Sequence, residues 1–188
     1  DYRCFESEDR SYFIDLKTSQ SGDFVFVSLL NSDQSETWAI GSDAPTGLPS
    51  LIEPMSKGHY YDVEHWGEQF VIRTNSNNAE DFRLVSAPIE TPGKEHWQTF
   101  VEHLRGRYIT QVIPLQACLV RFEWREAKPR IVLMARDGSE HDIEFPDPAY
   151  ALRIEPAQDY SSDAVYYQFS SPISPWRLMK TAFSSRRT

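Results

Sequence analysis

The sequence predicts an all-β fold, a β-propeller fragment of about four blades, each a four-stranded antiparallel sheet. Three observations predict it. The 188 residues hold twelve prolines and are rich in Val, Ile, Phe, Tyr and Trp, which favours strands over helices. Short apolar runs alternate with polar turns along the whole chain. Two series of runs keep one period: Phe24, Phe70, Leu119 and Val165 are separated by 46, 49 and 46 residues, and Thr37, Phe82, Ile131 and Arg177 by 45, 49 and 46. A β-rich repeat of roughly 40–50 residues is the period of a propeller blade, which buries its faces only against its neighbours.

Taken in order, Tyr12, Ile14 and Leu16 alternate with Phe13, Asp15 and Lys17, as in a half-buried strand. Ser21-Gly22-Asp23 is a turn. Phe24 to Leu30 is continuously apolar, as expected of a strand covered on both faces. Glu36 to Ile40 is a third strand and Ser50 to Glu53 a short fourth. Phe70-Val-Ile72 and Phe82 to Ser86, joined by a polar connector, repeat the pattern as the inner and middle strands of a second blade. So do Leu119 to Phe122 with Arg130 to Met134, and Ala164 to Phe169 with Trp176 to Met179. After a turn at Asp137-Gly138-Ser139, His141 to Phe145 alternates as another strand. One segment conflicts. Trp97, Phe100, Val101 and Leu104 fall on a helical face, so a helical turn near Glu95–Trp97 followed by a short strand is expected. The blades are set at residues 6–55, 58–104, 106–146 and 149–183, and residues 1–188 form one partial propeller.

Composition removes several classes. With 40% hydrophobic residues the chain can bury a core. A net charge of −9 argues against nucleic acid, which needs a basic face; the basic end at Arg177, Lys180, Arg186 and Arg187 reads as a solvated tail. No apolar run approaches the roughly 20 residues of a membrane span. Cys4 and Cys118 form no Cys-x-x-Cys pair; both are expected to be buried free thiols, which fits a reducing, cytoplasmic setting. The chain opens at Asp1 as though inside a strand, the expectation for part of a longer polypeptide.

Chemistry is sparse. No glycine is followed two places later by serine, so the Gly-x-Ser-x-Gly nucleophile elbow is missing, and there is no Gly-rich phosphate loop. His59, His65, His96, His103 and His141 form no metal motif and are assigned structural or surface roles. Glu64 and His65 are strand neighbours that face opposite sides, a poor acid–base pair. Asp142 and Glu144 share a strand face; paired carboxylates can cleave glycosides, but exposed strand carboxylates are far commoner. Tyr60-Tyr61 and Tyr166-Tyr167 are expected to fill space between blades. No catalytic, cofactor-binding or metal residue is assigned and no cofactor is expected.

Tyr61-Asp-Val-Glu-His, Gly67-Glu-Gln-Phe-Val-Ile-Arg-Thr-Asn75 and Phe82-Arg-Leu-Val-Ser-Ala-Pro88 resemble the β-propeller domain of the prolyl oligopeptidase family, most of all its oligopeptidase B (protease II) branch. Ser35-Glu36-Thr37-Trp38, Glu140-His-Asp-Ile-Glu-Phe-Pro146 and Tyr167-Gln-Phe-Ser-Ser-Pro172 add to the likeness, which runs from about Phe5 to about Thr181. The resemblance implies a seven-bladed propeller capping an α/β-hydrolase domain that is absent here. It implies a cytosolic serine oligopeptidase that admits short peptides and, in this branch, cleaves after Arg or Lys. The catalytic triad would lie outside this chain, which by itself should catalyse nothing. Uncovered blade edges would favour self-association. A non-enzymatic propeller that docks proteins or peptides is the alternative.

Overall fold

The computed structural model describes residues 11–154 and 158–183. Cys4, Phe5, Arg186 and Arg187 lie outside the described residues. Four antiparallel sheets follow one another along the chain. The first contains β1 (Phe13–Thr18), β2 (Phe24–Leu30), β3 (Ser35–Gly41) and β4 (Ser50–Glu53). The second contains β5 (Tyr61–Trp66), β6 (Gln69–Thr74), β7 (Arg83–Pro88) and β8 (Gln98–Val101). The third contains β9 (Arg107–Pro114), β10 (Cys118–Arg125), β11 (Lys128–Ala135) and β12 (Glu140–Asp142). The fourth has three strands among the described residues: β13 (Ala151–Ile154), β14 (Ala164–Ser171) and β15 (Ser174–Ala182). Strands pair in chain order within each sheet, the up-and-down meander of a propeller blade.

Both periodic series fall on equivalent strands. Phe24, Phe70, Leu119 and Val165 lie in the second strand of each sheet. Thr37, Ile131 and Arg177 lie in the third, and Phe82 immediately precedes it. Phe82 has φ 66°, so the third strand of the second sheet begins at Arg83 rather than at Phe82. The helical turn is a 3-10 turn at Lys94–His96, followed directly by β8.

The core is a series of seams between sheets. Between the first and second, Phe26, Ala39 and Ile52 meet Tyr61, Val63, Phe70, Ile72, Val85 and Ala87. Between the second and third, Trp66, Val71, Leu84 and Val101 meet Ile109, Val112, Leu119 and Met134. Between the third and fourth, Ile113, Cys118, Val120, Ile131 and Leu133 meet Leu152, Val165, Tyr167 and Phe169. Strand alternation produces this partition. In β6, Phe70 and Ile72 enter one seam and Val71 the next; in β10, Val120 enters one and Leu119 the other.

Four expectations are corrected. β1 is exposed along its whole length, with Phe13 at 75% and Leu16 at 68%, because no further sheet packs on it among the described residues. The runs at Phe70 and Phe82 correspond to the second and third strands of their sheet, since β5 is the first. The strand expected over His141–Phe145 stops at Asp142: Ile143 makes a last ladder bond to the Ile131 carbonyl at 3.0 Å, and Ile143 and Phe145 then turn to pack on the third seam. The last blade shows three strands rather than four among the described residues.

Candidate functional site

Each sheet sets its polar side chains where the seams and connectors decide, and the candidate residues sort accordingly. Tyr61 is 1% exposed and spans the first seam. Its hydroxyl donates to the Glu53 carbonyl at 2.5 Å and accepts from the Thr37 amide at 2.9 Å. Burial pushes the Tyr61 phenol above its ordinary range, so it remains a neutral hydrogen-bonding rivet. Tyr167 is buried in the third seam, its ring edge-on to Phe145. Tyr60 and Tyr166 are half-buried. One tyrosine of each pair therefore fills a seam, as sequence alternation requires.

Glu64 and His65 are both buried and both reach the β1–β2 turn. Glu64 accepts from the Gln20 amide at 3.2 Å and pairs with Lys17. Burial raises its carboxyl pKa, against the pull of Lys17. His65 Nδ1 meets Ser21 Oγ at 2.7 Å and Asp23 Oδ2 at 3.3 Å. Serine, histidine and aspartate thus come together, but both partners share one ring nitrogen. A hydrolytic triad needs the imidazole to bridge acid and nucleophile through its two nitrogens. The cluster is a dock for the turn, not a relay.

The other histidines are dispersed. His59 is 6% exposed and its Nε2 lies 3.0 Å from Thr74 Oγ1. His96 lies 3.7 Å from Glu95, His103 lies 3.8 Å from Asp81, and His141 is exposed. No group of three or more His, Cys, Asp or Glu side chains able to hold a metal occurs among the described residues. Cys118 is a buried free thiol, pushed up to about 12 by burial and so unreactive as a nucleophile. Asp142 is ion-paired to Arg130, while Glu144 lies exposed beyond the strand end. Both line an open pocket of about 460 Å³ with Arg130 and Tyr150, and Asp142 is already committed to its guanidinium.

Sequence reasoning missed the most concentrated polar feature. In the third sheet, Arg121 is 2% exposed and Glu123 is fully buried. Arg121 Nε donates to Glu123 Oε2 at 2.7 Å, and its two terminal nitrogens fork onto Glu140 at 2.7 and 2.9 Å. Arg130 donates to the other Glu123 oxygen at 2.9 Å. By strand alternation these residues lie on the face of Leu119 and Met134, turned toward the second sheet. The bond from Arg121 holds the Glu140 carboxyl below its usual range. Two stacked cations guard the same side: Arg136 lies 3.8 Å over Trp66 and Arg73 3.9 Å over Phe82. No helix among the described residues is long and apolar enough to cross a membrane.

With this geometry in view, comparison with known proteins is specific. The family model for the prolyl oligopeptidase N-terminal β-propeller domain matches residues 1–188. Protease 2 of Moraxella lacunata is 29% identical over 97% of this chain and 25% of its own length. Dipeptidyl aminopeptidase BI of Pseudoxanthomonas mexicana is 23% identical over 93% of this chain and 24% of its own. The chain thus spans about a quarter of the length of the curated relatives it matches. Oligopeptidase B from Leishmania major superposes with a TM-score of 0.89 at 16% identity, over 95% of this chain and 27% of that one. The Trypanosoma brucei enzyme superposes at 0.88 and 16% identity, over 95% and 27%. These two similarities speak for the fold.

Proposed function

The chain belongs to the prolyl oligopeptidase family, within its N-terminal β-propeller domain, and from that premise we propose that it forms part of the gate of a cytosolic serine oligopeptidase. The observation that carries the reading is the match of the propeller model to all 188 residues, by a chain that spans a quarter of relatives named as peptidases. In this reading the propeller excludes folded proteins and admits short peptides. Chemistry belongs to an α/β-hydrolase domain elsewhere in the whole protein, with cleavage after Arg or Lys. Closely packed seams support a gating role, because such blades move as rigid bodies rather than deforming. The buried free thiol of Cys118 fits a reducing compartment. Exposed strands at the two ends, β1 and β15, supply surfaces through which the chain would associate with copies of itself or with the rest of its protein.

The test compares the 188-residue chain with the whole protein on an Arg-containing fluorogenic peptide and on a folded protein bearing the same sequence. The whole protein should cleave only the peptide, and the chain neither. Hydrolysis by the chain alone that is stopped by a serine reagent overturns the assignment of catalysis elsewhere. Equal cleavage of the folded protein overturns the gate. A whole protein that binds peptides without cleaving them would establish a docking propeller instead.

A further inference from the structure

A pocket of about 430 Å³ opens where the β4–β5 connector, the β6–β7 connector and the segment before β8 converge. Its lining includes Lys57, His59, Ser76, Asn77, Asn78 and Lys94. Nothing in the peptidase reading uses it. From the lining charge and the unpartnered imidazole we propose that this pocket binds an oxyanion of the phosphate class, a doubly charged group held between Lys57 and Lys94.

Charge is the first argument. Lys57 and Lys94 line the pocket, and Arg83 lies directly behind it, donating to Ser76 Oγ at 3.1 Å. None of these three cations has a carboxylate within 4.0 Å among the described residues. Glu80 is the one carboxylate in the lining. Glu53, beside the pocket, accepts the Lys94 backbone amide at 3.0 Å. Lining and flanking groups together, Lys57, Lys94 and Arg83 against Glu80 and Glu53, leave a local cationic surplus that attracts an anion, in a chain whose net charge is −9.

His59 supplies the second argument. It forms part of the wall, is 6% exposed, and its Nδ1 is buried with no hydrogen-bond partner. Nε2 already faces Thr74 Oγ1 at 3.0 Å, and that hydroxyl also accepts the Ser76 amide at 3.1 Å. With Thr74 donating to Nε2, the imidazole proton sits on Nδ1 as a donor in want of an acceptor. A buried polar atom left unpaired is costly, and a small shift of the wall that brings a ligand oxygen to the ring edge supplies its partner. Burial chiefly, with Lys94 and Arg83 adding to it, pushes the imidazole down to about 4. Asn77 and Asn78, with φ 58° and 61°, hold the opposite wall in consecutive left-handed conformations that asparagine tolerates better than most residues. The ammonium groups act on the phosphate as point charges, while Ser76 and the asparagine amides offer directed donors.

The inference stands independently of the peptidase reading and is tested without turnover. Inorganic phosphate is titrated into the protein at pH 7 and constant ionic strength set by chloride, with the His59 ring and the Asn77 and Asn78 amides followed by NMR. A saturable shift of these resonances is expected. Lys94→Gln should weaken it about tenfold, the loss of one charge-assisted contact. Lys57→Gln with Lys94→Gln should abolish it, while Lys128→Gln, on another pocket, leaves it unchanged. Lys57 is exposed and Lys94 half-buried, and an unchanged amide spectrum of each variant outside the pocket shows that the fold is kept. Absence of a saturable shift, or an unchanged affinity in the double variant, overturns the site. Acetate binding as tightly as phosphate overturns the dianion assignment.

Discussion

The two faces of the third sheet are built from the same four strands and have opposite chemistry. The face turned to the fourth sheet presents Ile113, Cys118, Val120, Ile131 and Leu133 to an apolar seam. The face turned to the second sheet carries Leu119 and Met134 but also the ion network of Arg121, Glu123, Arg130 and Glu140. An apolar seam is non-directional: it stabilises in proportion to area and tolerates small shifts. An ionic seam works only in one geometry, because desolvating each charge costs several kcal/mol unless every partner is in place. The first face sets how strongly two sheets adhere. The second sets how they are aligned.

The comparison breaks most sharply at Glu123. Glu123→Ala leaves Arg121 buried without its inner partner and should lower unfolding stability by about 3–5 kcal/mol, read from urea denaturation. On the other face, Ile131→Ala should cost about 2–5 kcal/mol through a cavity, with an effect insensitive to salt. A loss at Glu123 of less than about 1 kcal/mol would mean that the ionic face contributes little. Tyr61→Phe keeps the ring but leaves the Thr37 and Glu53 amides without their acceptor, and should cost about 1–3 kcal/mol.

The smallest effect is a pH dependence. Glu140 has a folded pKa below its ordinary 4.5, with the bond from Arg121 the main cause. Its contribution is therefore complete above that ordinary value and is lost as pH falls through the folded one. Wild type should lose stability relative to Glu140→Gln as pH drops below about 4.5. Parallel unfolding curves for the two proteins from pH 6 to pH 3 would remove Glu140 from the alignment role.

Much of this fold is written locally. The apolar second strands and their turns stand out because Phe24, Phe70, Leu119 and Val165 begin or continue runs that local alternation identifies. β4 was legible to the residue, and a short turn leading into a strand was expected near Glu95–Trp97, although the helical spacing of Trp97, Phe100 and Val101 misled: Phe100 and Val101 lie in β8. The first strands of the second, third and fourth sheets were hidden. β5 reads as Tyr-Asp-Val-Glu-His-Trp, and its Glu64 and His65 are buried where the β1–β2 turn of the neighbouring sheet folds over them, His65 also against the rings of Phe24 and Phe70. β1 failed in the other direction, since its alternation promised a covered face that no described element supplies. The ion network was invisible for a related reason. Arg121 and Glu123 alternate with apolar residues, a pattern that normally marks a solvated face. Only the position of the next sheet turns that face inward. Likewise, nothing local marks His59 as lying between the charges of Lys94 and Arg83, which are separated from it by 35 and 24 residues.

The division of β6 and β10 between two seams constrains how such a chain can evolve. A single inserted residue in β6 would exchange Phe70 and Ile72 with Val71 and mismatch two seams at once. Length can therefore drift in the connectors, as the polar stretch from Asn75 to Asp81 permits. Inside the strands, change is confined to substitution or to gain and loss of a whole repeat. A lineage of such proteins should show ragged loops, strands of conserved parity and blade numbers that change only in whole units.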